Sequence, residues 1–204
     1  RFIDEGLIAD AADIFTLIAG DIETLPRFGK KSAENIVAEV AREKTVALPK
    51  FIYALGILHV GEETALALAY YFAGQGKGIA RPADLFKASR TLSPLDLQRI
   101  PDVGPKVSES IYRWFHERRN EAFVEKLDRA GVAVFLPPRA SGGALAGKTF
   151  VLTGTLTALT REEAKAAIRA QGGDVSEAVG AKTSYVVLGA HPGSKADRAK
   201  TLGV

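Results

Sequence analysis

The chain has 204 residues, 47% of them hydrophobic and 25% charged, with a formal net charge of +3. That composition suits a globular protein of one large or two ordinary domains and excludes disorder throughout. Cysteine is absent, which excludes a disulfide framework and a thiolate zinc site within these residues. No apolar run is long enough to span a bilayer, and no signal segment opens the chain, so no membrane partner is expected.

The charge is uneven. Residues 1 to 138 carry 18 Lys/Arg and 19 Asp/Glu, a net −1, while residues 139 to 204 carry 9 and 5, a net +4. If the first part binds a polyanion, it must therefore use local clusters such as Arg27 to Lys31 and oriented amides rather than bulk charge. The chain opens at Arg1, has no methionine, and begins like the end of a helix already under way, so it is expected to be a piece of a longer polypeptide.

In chain order, residues 13 to 20 read as a short helix capped by Asp10 or Asp13 and stopped by Gly20. Then comes Leu25-Pro26-Arg27-Phe28-Gly29-Lys30-Lys31-Ser32, which returns in altered form as Ile57-Leu58-His59-Val60-Gly61-Glu62-Glu63-Thr64 and as Ile100-Pro101-Asp102-Val103-Gly104-Pro105-Lys106-Val107. Each copy has an aliphatic residue four before the glycine and a small residue four after it (Ala33, Ala65, Ser108). At seven, eight and eleven after the glycine stand Ile36, Val37 and Val40, then Leu68, Ala69 and Phe72, then Ile111, Tyr112 and Phe115. This is one helical stripe used three times.

The repeat reads as a short helix, a tight hairpin and a second helix. Positive φ is expected at the hairpin glycine, where the chain turns sharply without a Cβ to clash. On that expectation Gly104→Ala weakens duplex binding and adds strain of about 1–2 kcal/mol. Pro105 fits the first helical position. Amides of the turn and of the first helical turn lack partners within the helix, so they can point at an anion with the helix dipole behind them. A nucleic-acid phosphate is the obvious candidate, bound without base information. The bland alternative, that the repeats only pack on each other, stays open, and for the second hairpin Glu62 and Glu63 weigh against phosphate.

Leu48 to Leu55 forms the first helix of the second repeat, with Pro49 at its start. His59 has no nearby Asp/Glu, Ser or Cys partner in sequence and is a poor catalyst candidate. Gly74 to Pro82 reads as a flexible connection, since no strand precedes it and no Gly-Lys-Ser/Thr follows. Ser93 caps the helix at Pro94, and the third repeat closes in a long helix rich in Arg113, Arg118 and Arg119. Trp114 and Phe115 sit at core spacing. A helix from Ala122 and an extended run over Val132 to Leu136 follow, and Pro137 to Gly143 is the clearest linker.

Beyond it, Thr149 to Thr153 suits a buried strand, and Thr160-Arg161-Glu162-Glu163 is a capping box opening a helix that ends at Gly172-Gly173. Val175 to Val179 is a candidate edge strand, Tyr185 to Leu188 a third, and Ser194 opens another helix. The pattern implies an α/β sandwich with a parallel sheet.

The three hairpin stretches resemble helix-hairpin-helix motifs, which bind DNA backbone without sequence preference; together they cover about Ala11 to Phe115. The family hairpin carries glycine, a hydrophobic residue and glycine, whereas Arg27, His59 and Asp102 hold the first of those glycine positions here. The resemblance implies backbone contacts by Arg27, Phe28, Gly29, Lys30 and Lys31, by His59, Val60 and Gly61, and by Val103, Gly104 and Lys106. Residues Gly147 to Gly154, Gly172-Gly173, Thr183 to Val187 and Gly193 to Lys195 resemble a BRCT domain. In that family a Ser or Thr followed by Gly, with a Lys opening the second helix, can bind phosphate, and Thr153, Gly154 and Lys195 match those positions. The family's last strand and helix lie beyond Val204.

In order and content the parts resemble the C-terminal half of the bacterial NAD-dependent DNA ligase family. The expectation is a mixed fold: an all-α helix-hairpin-helix domain over 1–136, a linker over 137–146, and a small α/β BRCT domain over 147–204, C-terminally incomplete. The implied role is to grip nicked double-stranded DNA for upstream catalytic domains of the same chain, in the cytoplasm at the bacterial nucleoid, as a monomer. These residues lack a Lys-x-Asp/Asn-Gly adenylation motif, so no cofactor and no activity are expected of them; NAD, magnesium and zinc belong to the parent enzyme. The rival is a BRCT-based interaction module with the repeats as scaffold, and a free-standing nucleotidyltransferase comes a distant third.

Overall fold

The computed structural model describes residues 1–76, 78–138 and 142–204. The flexible connection expected around Lys77 and the linker at Arg139 to Ser141 fall partly outside them. The chain divides into two compact units, Arg1–Leu136 and Pro137–Val204.

The first unit is helical. A 3-10 helix, Ala11–Thr16, is capped by Asp10, whose carboxylate accepts from the Ala12 amide at 2.9 Å. It is followed by α1 (Ala19–Glu23) and α2 (Lys30–Arg42), then β1 (Thr45–Ala47), α3 (Leu48–Ala54) and α4 (Glu62–Gly74). The unit continues with α5 (Pro82–Arg90), α6 (Pro94–Leu97), α7 (Pro105–His116), α8 (Arg118–Arg129) and β2 (Ala133–Phe135). Gly20 does not stop a helix: it lies inside α1, where the Asp21 carboxylate accepts from the Ile18 amide at 3.1 Å and starts a fresh turn.

The long helix expected over Arg113 to Arg119 is two helices. Glu117 takes extended backbone (φ −83°, ψ 123°), and Asn120 Nδ2 donates to the Trp114 carbonyl at 2.9 Å, holding the corner. The break lets α7 and α8 both pack on α5. The last strand finds a partner that periodicity did not reveal: β2 pairs in parallel with β1, Thr45 opposite Ala133 and Ala47 opposite Phe135. Lys44 Nζ donates to the Ala130 carbonyl at 2.8 Å beside this pairing.

The apolar stripes build two cores. Ile22 and Ala33 belong to a core of the first hairpin, with Leu17, Phe28, Ile36 and Val37 around them. Leu68, Leu85, Leu97, Ile111 and Phe115 share the larger one, where the Phe86 ring meets the Phe115 ring edge-on at 5.6 Å. Trp114 is half-buried against that core.

The second unit is a three-stranded parallel sheet in the order β4 (Asp174–Val175), β3 (Thr149–Thr153), β5 (Tyr185–Leu188), with α9 (Arg161–Ala170) and α10 (Ser194–Leu202). Alternation along β3 explains the layers. Phe150 and Leu152 pack with Ala164 and Ile168 of α9, and Val151 packs with Val179 and Ala199 of α10, so the two helices cover opposite faces. β4 is an edge strand, as expected near Val175, but it ends at that residue, and β5 forms the other edge. Val179 is buried at the other face instead. Thr160 caps α9, and its amide and hydroxyl donate to the Glu163 carboxylate at 2.7 and 2.8 Å, which holds that carboxyl below its ordinary range.

Candidate nucleic-acid interface

The three hairpins close on the same hydrogen bond. The amide of the residue before the glycine donates to the carbonyl three residues back: Phe28 to Leu25 at 3.1 Å, Val60 to Ile57 at 3.0 Å, Val103 to Ile100 at 3.2 Å. The carbonyl of each glycine accepts the first bond of the helix that follows, from Ala33, Ala65 and Ser108 at 3.0, 2.9 and 2.9 Å. Those three small residues are completely buried, so helices α2, α4 and α7 approach their partners closely at this point. Leu25, Ile57 and Ile100 anchor the hairpins from beneath.

The left-handed residue is not the glycine. Gly29, Gly61 and Gly104 have φ of −104°, −87° and −84° and serve as N-caps in extended conformation. Positive φ falls two positions earlier, at Arg27 (72°), His59 (66°) and Asp102 (62°). The turns Leu25–Phe28, Ile57–Val60 and Ile100–Val103 are therefore of type II, the four-residue turn whose third residue takes positive φ and which accepts Pro26 and Pro101 in second place. Strain is thus carried by non-glycine residues, and the expected strain at Gly104 does not exist.

A Cβ added at Gly29, Gly61 or Gly104 would meet nothing within 4 Å. Beside these exposed glycines lie amides of the first helical turn, which have no acceptor inside the helix. Arg27, Lys30 and Lys31 at the first hairpin and Lys106 at the third are exposed, and among the described residues none of them pairs with a carboxylate. The second hairpin differs. Its first helical turn holds Glu62, exposed, and Glu63, buried, and its cationic candidate is His59 alone.

In the second unit, Thr153, Gly154 and Lys195 all lie at the carboxyl end of the sheet, the end where parallel α/β sheets bind ligands. Thr153 is buried as the last residue of β3. Gly154 follows with φ 81°, and a Cβ there would stand 2.7 Å from the Ala190 carbonyl oxygen, so only glycine fits. Lys195 is the second residue of α10, and its Nζ lies 3.3 Å from the Glu177 carboxylate.

Two further groups at this end escaped sequence reading. Arg161 donates to the Leu152 carbonyl and to the Gly154 carbonyl, each at 3.1 Å, and so holds the Thr153–Gly154 corner from both sides. Its place directly after the Thr160 cap was the one available signal. Glu177 also reaches Lys165 of α9 at 3.5 Å, and nothing in the sequence marks that contact. Burial works to raise the Glu177 carboxyl, but Lys195 and Lys165 outweigh it and hold it below its ordinary range.

A helical unit built on three repeated hairpins is followed in the chain by a parallel sheet covered on both faces. Residues 141–204 match the family model described as BRCA1 C Terminus (BRCT) domain, and the second unit is a BRCT domain. The whole chain matches the C-terminal part of bacterial DNA ligases. It is 43% identical over 204 residues to a DNA ligase of Acidithiobacillus ferrooxidans, covering 100% of this chain and 29% of that relative. Against a DNA ligase of Coxiella burnetii it is 42% identical over 203 residues (100% and 28%), and against that of Carboxydothermus hydrogenoformans 42% over 202 residues (99% and 29%). The chain thus spans less than a third of the length of these curated relatives.

Proposed function

We propose that this chain is the non-catalytic DNA-binding portion of an NAD-dependent DNA ligase, gripping the backbone of nicked duplex DNA while upstream domains of the parent seal the 5′-phosphate to the 3′-hydroxyl in replication and repair. The observation that carries this reading is the triplet of exposed glycine N-caps. Neither backbone strain nor a protein neighbour calls for glycine at Gly29, Gly61 or Gly104. A phosphate approaching the first-turn amides does, because a Cβ would stand in its way. Free cations at Arg27, Lys30, Lys31 and Lys106 favour the first and third hairpins as the main contacts.

In this reading the chemistry of the parent, with its NAD, magnesium and zinc, belongs to segments upstream of these residues.

A salt titration of affinity for one duplex, nicked with a 5′-phosphate or intact, tests the proposal. The slope of log K against log[salt] is about −0.9 per neutralised phosphate, so a slope of about −3 to −6 is expected. A flat response with negligible affinity overturns it. The rival reading, a phosphate-recognising interaction module with the repeats as scaffold, is favoured by the placement of Thr153, Gly154 and Lys195 at one end of the sheet. Binding of a phosphorylated ligand that Gly104→Ala and Lys30→Ala leave untouched, without duplex affinity, decides for it.

A further inference from the structure

We propose that the corner between α7 and α8 binds an unpaired DNA strand, with His116 as the platform on which a base stacks and Arg118 and Arg119 as contacts to the adjoining phosphates. This site is separate from the hairpins. Lys106 and His116 stand near opposite ends of α7, so the corner lies about 15 Å along the helix from the third hairpin, at about 1.5 Å per residue.

The platform is built from two rings. His116 stacks on Tyr112 with centroids 3.9 Å and planes 24° apart, and its Nδ1 donates to the Tyr112 carbonyl at 2.8 Å, since a carbonyl only accepts. Tyr112 is itself packed against the main core, so the imidazole is held in place from beneath. His116 is exposed, and the ring face turned away from Tyr112 meets solvent. A ring already fixed loses little freedom when a base covers it. Trp114, the larger aromatic side chain of this stretch, serves the core instead, with the rings of Phe86 and Phe115 at 6.4 and 4.8 Å.

The cations stand beside the platform. Glu117 alone separates α7 from α8, so Arg118 and Arg119 open α8 two and three residues after His116. Both are exposed, and among the described residues neither pairs with a carboxylate. The charges around them are matched, Arg113 by Glu109 at 2.8 Å and Arg90 by Glu121 at 2.7 Å, which leaves two guanidinium groups against the single carboxylate of Glu117. A free ring face beside cations suits a strand whose bases are open to stacking. In a duplex the bases already cover one another, and an acidic peptide would use the guanidinium groups but not the ring.

The test uses the full chain and three fluorescent ligands followed by anisotropy: oligothymidylate of about ten nucleotides, an abasic strand of equal length, and polyglutamate of equal length. The wild-type protein is expected to bind oligothymidylate saturably and more tightly than the abasic strand. His116→Ala should weaken oligothymidylate binding about fivefold or more and erase the advantage over the abasic strand, and His116→Phe, which keeps a ring, should restore both. Replacing Arg118 and Arg119 together by glutamine should weaken both strands and flatten the salt slope by about 1.4, at about 0.7 per phosphate of a single strand. Affinity for an intact duplex should be the same in all these variants. Absence of oligothymidylate binding, binding that none of the substitutions weakens, or no advantage over the abasic strand overturns the proposal and leaves the hairpin grip standing. An equal loss of duplex affinity makes the corner part of that grip and also overturns it. Polyglutamate bound as tightly as oligothymidylate, with no loss in His116→Ala, assigns the corner to an acidic peptide instead.

Discussion

Asp102, not Gly104, carries the left-handed backbone of the third hairpin: φ is 62° at Asp102 and −84° at Gly104. The same exchange of roles holds between Arg27 and Gly29 and between His59 and Gly61. Conformational strain and ligand access are therefore separated by two residues, so substitution at the first position should be read in stability and at the second in duplex affinity.

His59→Gly should stabilise the helical unit. Left-handed backbone costs a non-glycine residue about 1–2 kcal/mol, and the extra freedom of glycine in the unfolded chain returns about 0.4–1 of that. A gain of about 0.5–1 kcal/mol is expected in urea unfolding followed by helical circular dichroism, and a loss of stability would refute the strain assignment.

Gly104→Ala should leave stability close to unchanged: φ is ordinary and the space around the new methyl is empty, and the gain of up to about 1 kcal/mol from a less free unfolded chain is offset by alanine being a poorer N-cap than glycine. Duplex affinity should nonetheless fall. Fluorescence anisotropy beside a thermal melt separates the two effects, and unchanged affinity would remove the third hairpin from the interface.

Replacing both Lys30 and Lys31 by alanine should flatten the salt dependence of duplex binding by about 1.8, at about 0.9 per phosphate contact. Arg113→Ala is the control, since its guanidinium is paired with Glu109 at 2.8 Å. Equal slopes for both variants would argue against the lysines as phosphate ligands.

Gly189→Ala should destabilise the BRCT unit by about 2 kcal/mol or more, because the added Cβ would stand 2.3 Å from the Thr155 carbonyl oxygen and the backbone on both sides has to shift. Hydrogen exchange of the Val151 and Val186 amides reports it. Exchange as slow as in the wild type would contradict the packing.

The N-terminal segment should loosen in acid. Lys126 Nζ lies 2.8 Å from Asp10 and 2.9 Å from Asp13. The Asp13 carboxyl is held below its ordinary 3.8, first by the Lys126 hydrogen bond and then by the amides of Ala9 and Asp10. Its contribution is complete above about pH 4 and is lost as pH falls through the lower folded value. Lys126 is shifted upward from 10.5 by the hydrogen bonds it donates to Asp10 and Asp13, so its share is complete below that value and fades as pH rises through the higher folded one. Exchange of the Ala12 amide should accelerate at both extremes, and Lys126→Met should make it fast at every pH.

Much was already legible along the chain, because the signals concerned are local. The spacing of Ala33, Ala65 and Ser108 from their glycines placed them on one helical stripe, and all three are fully buried. The Thr160–Glu163 and Ser93–Asp96 capping boxes start helices where hydroxyl and carboxylate stand three residues apart. The apolar run Thr149 to Thr153 read as a buried strand of a parallel sheet, and its Phe150 and Val151 pack on helices at opposite faces. Such patterns need only backbone periodicity and neighbouring hydrogen bonds.

Tertiary structure alone decided the rest. Which residue of each hairpin turns left-handed depends on the turn type that the packed helices impose, not on where glycine stands, and Arg27, His59 and Asp102 bear the positive φ. The break at Glu117 follows from the need to lay two helices on α5, and the pairing of Thr45 with Ala133 joins segments whose short apolar runs are ambiguous by themselves. Glu177 meets Lys165 and Lys195 only because the sheet edge brings a loop between helices on opposite faces. Contacts between residues far apart in the chain depend on how apolar faces pack, and one-dimensional periodicity carries no record of which faces meet.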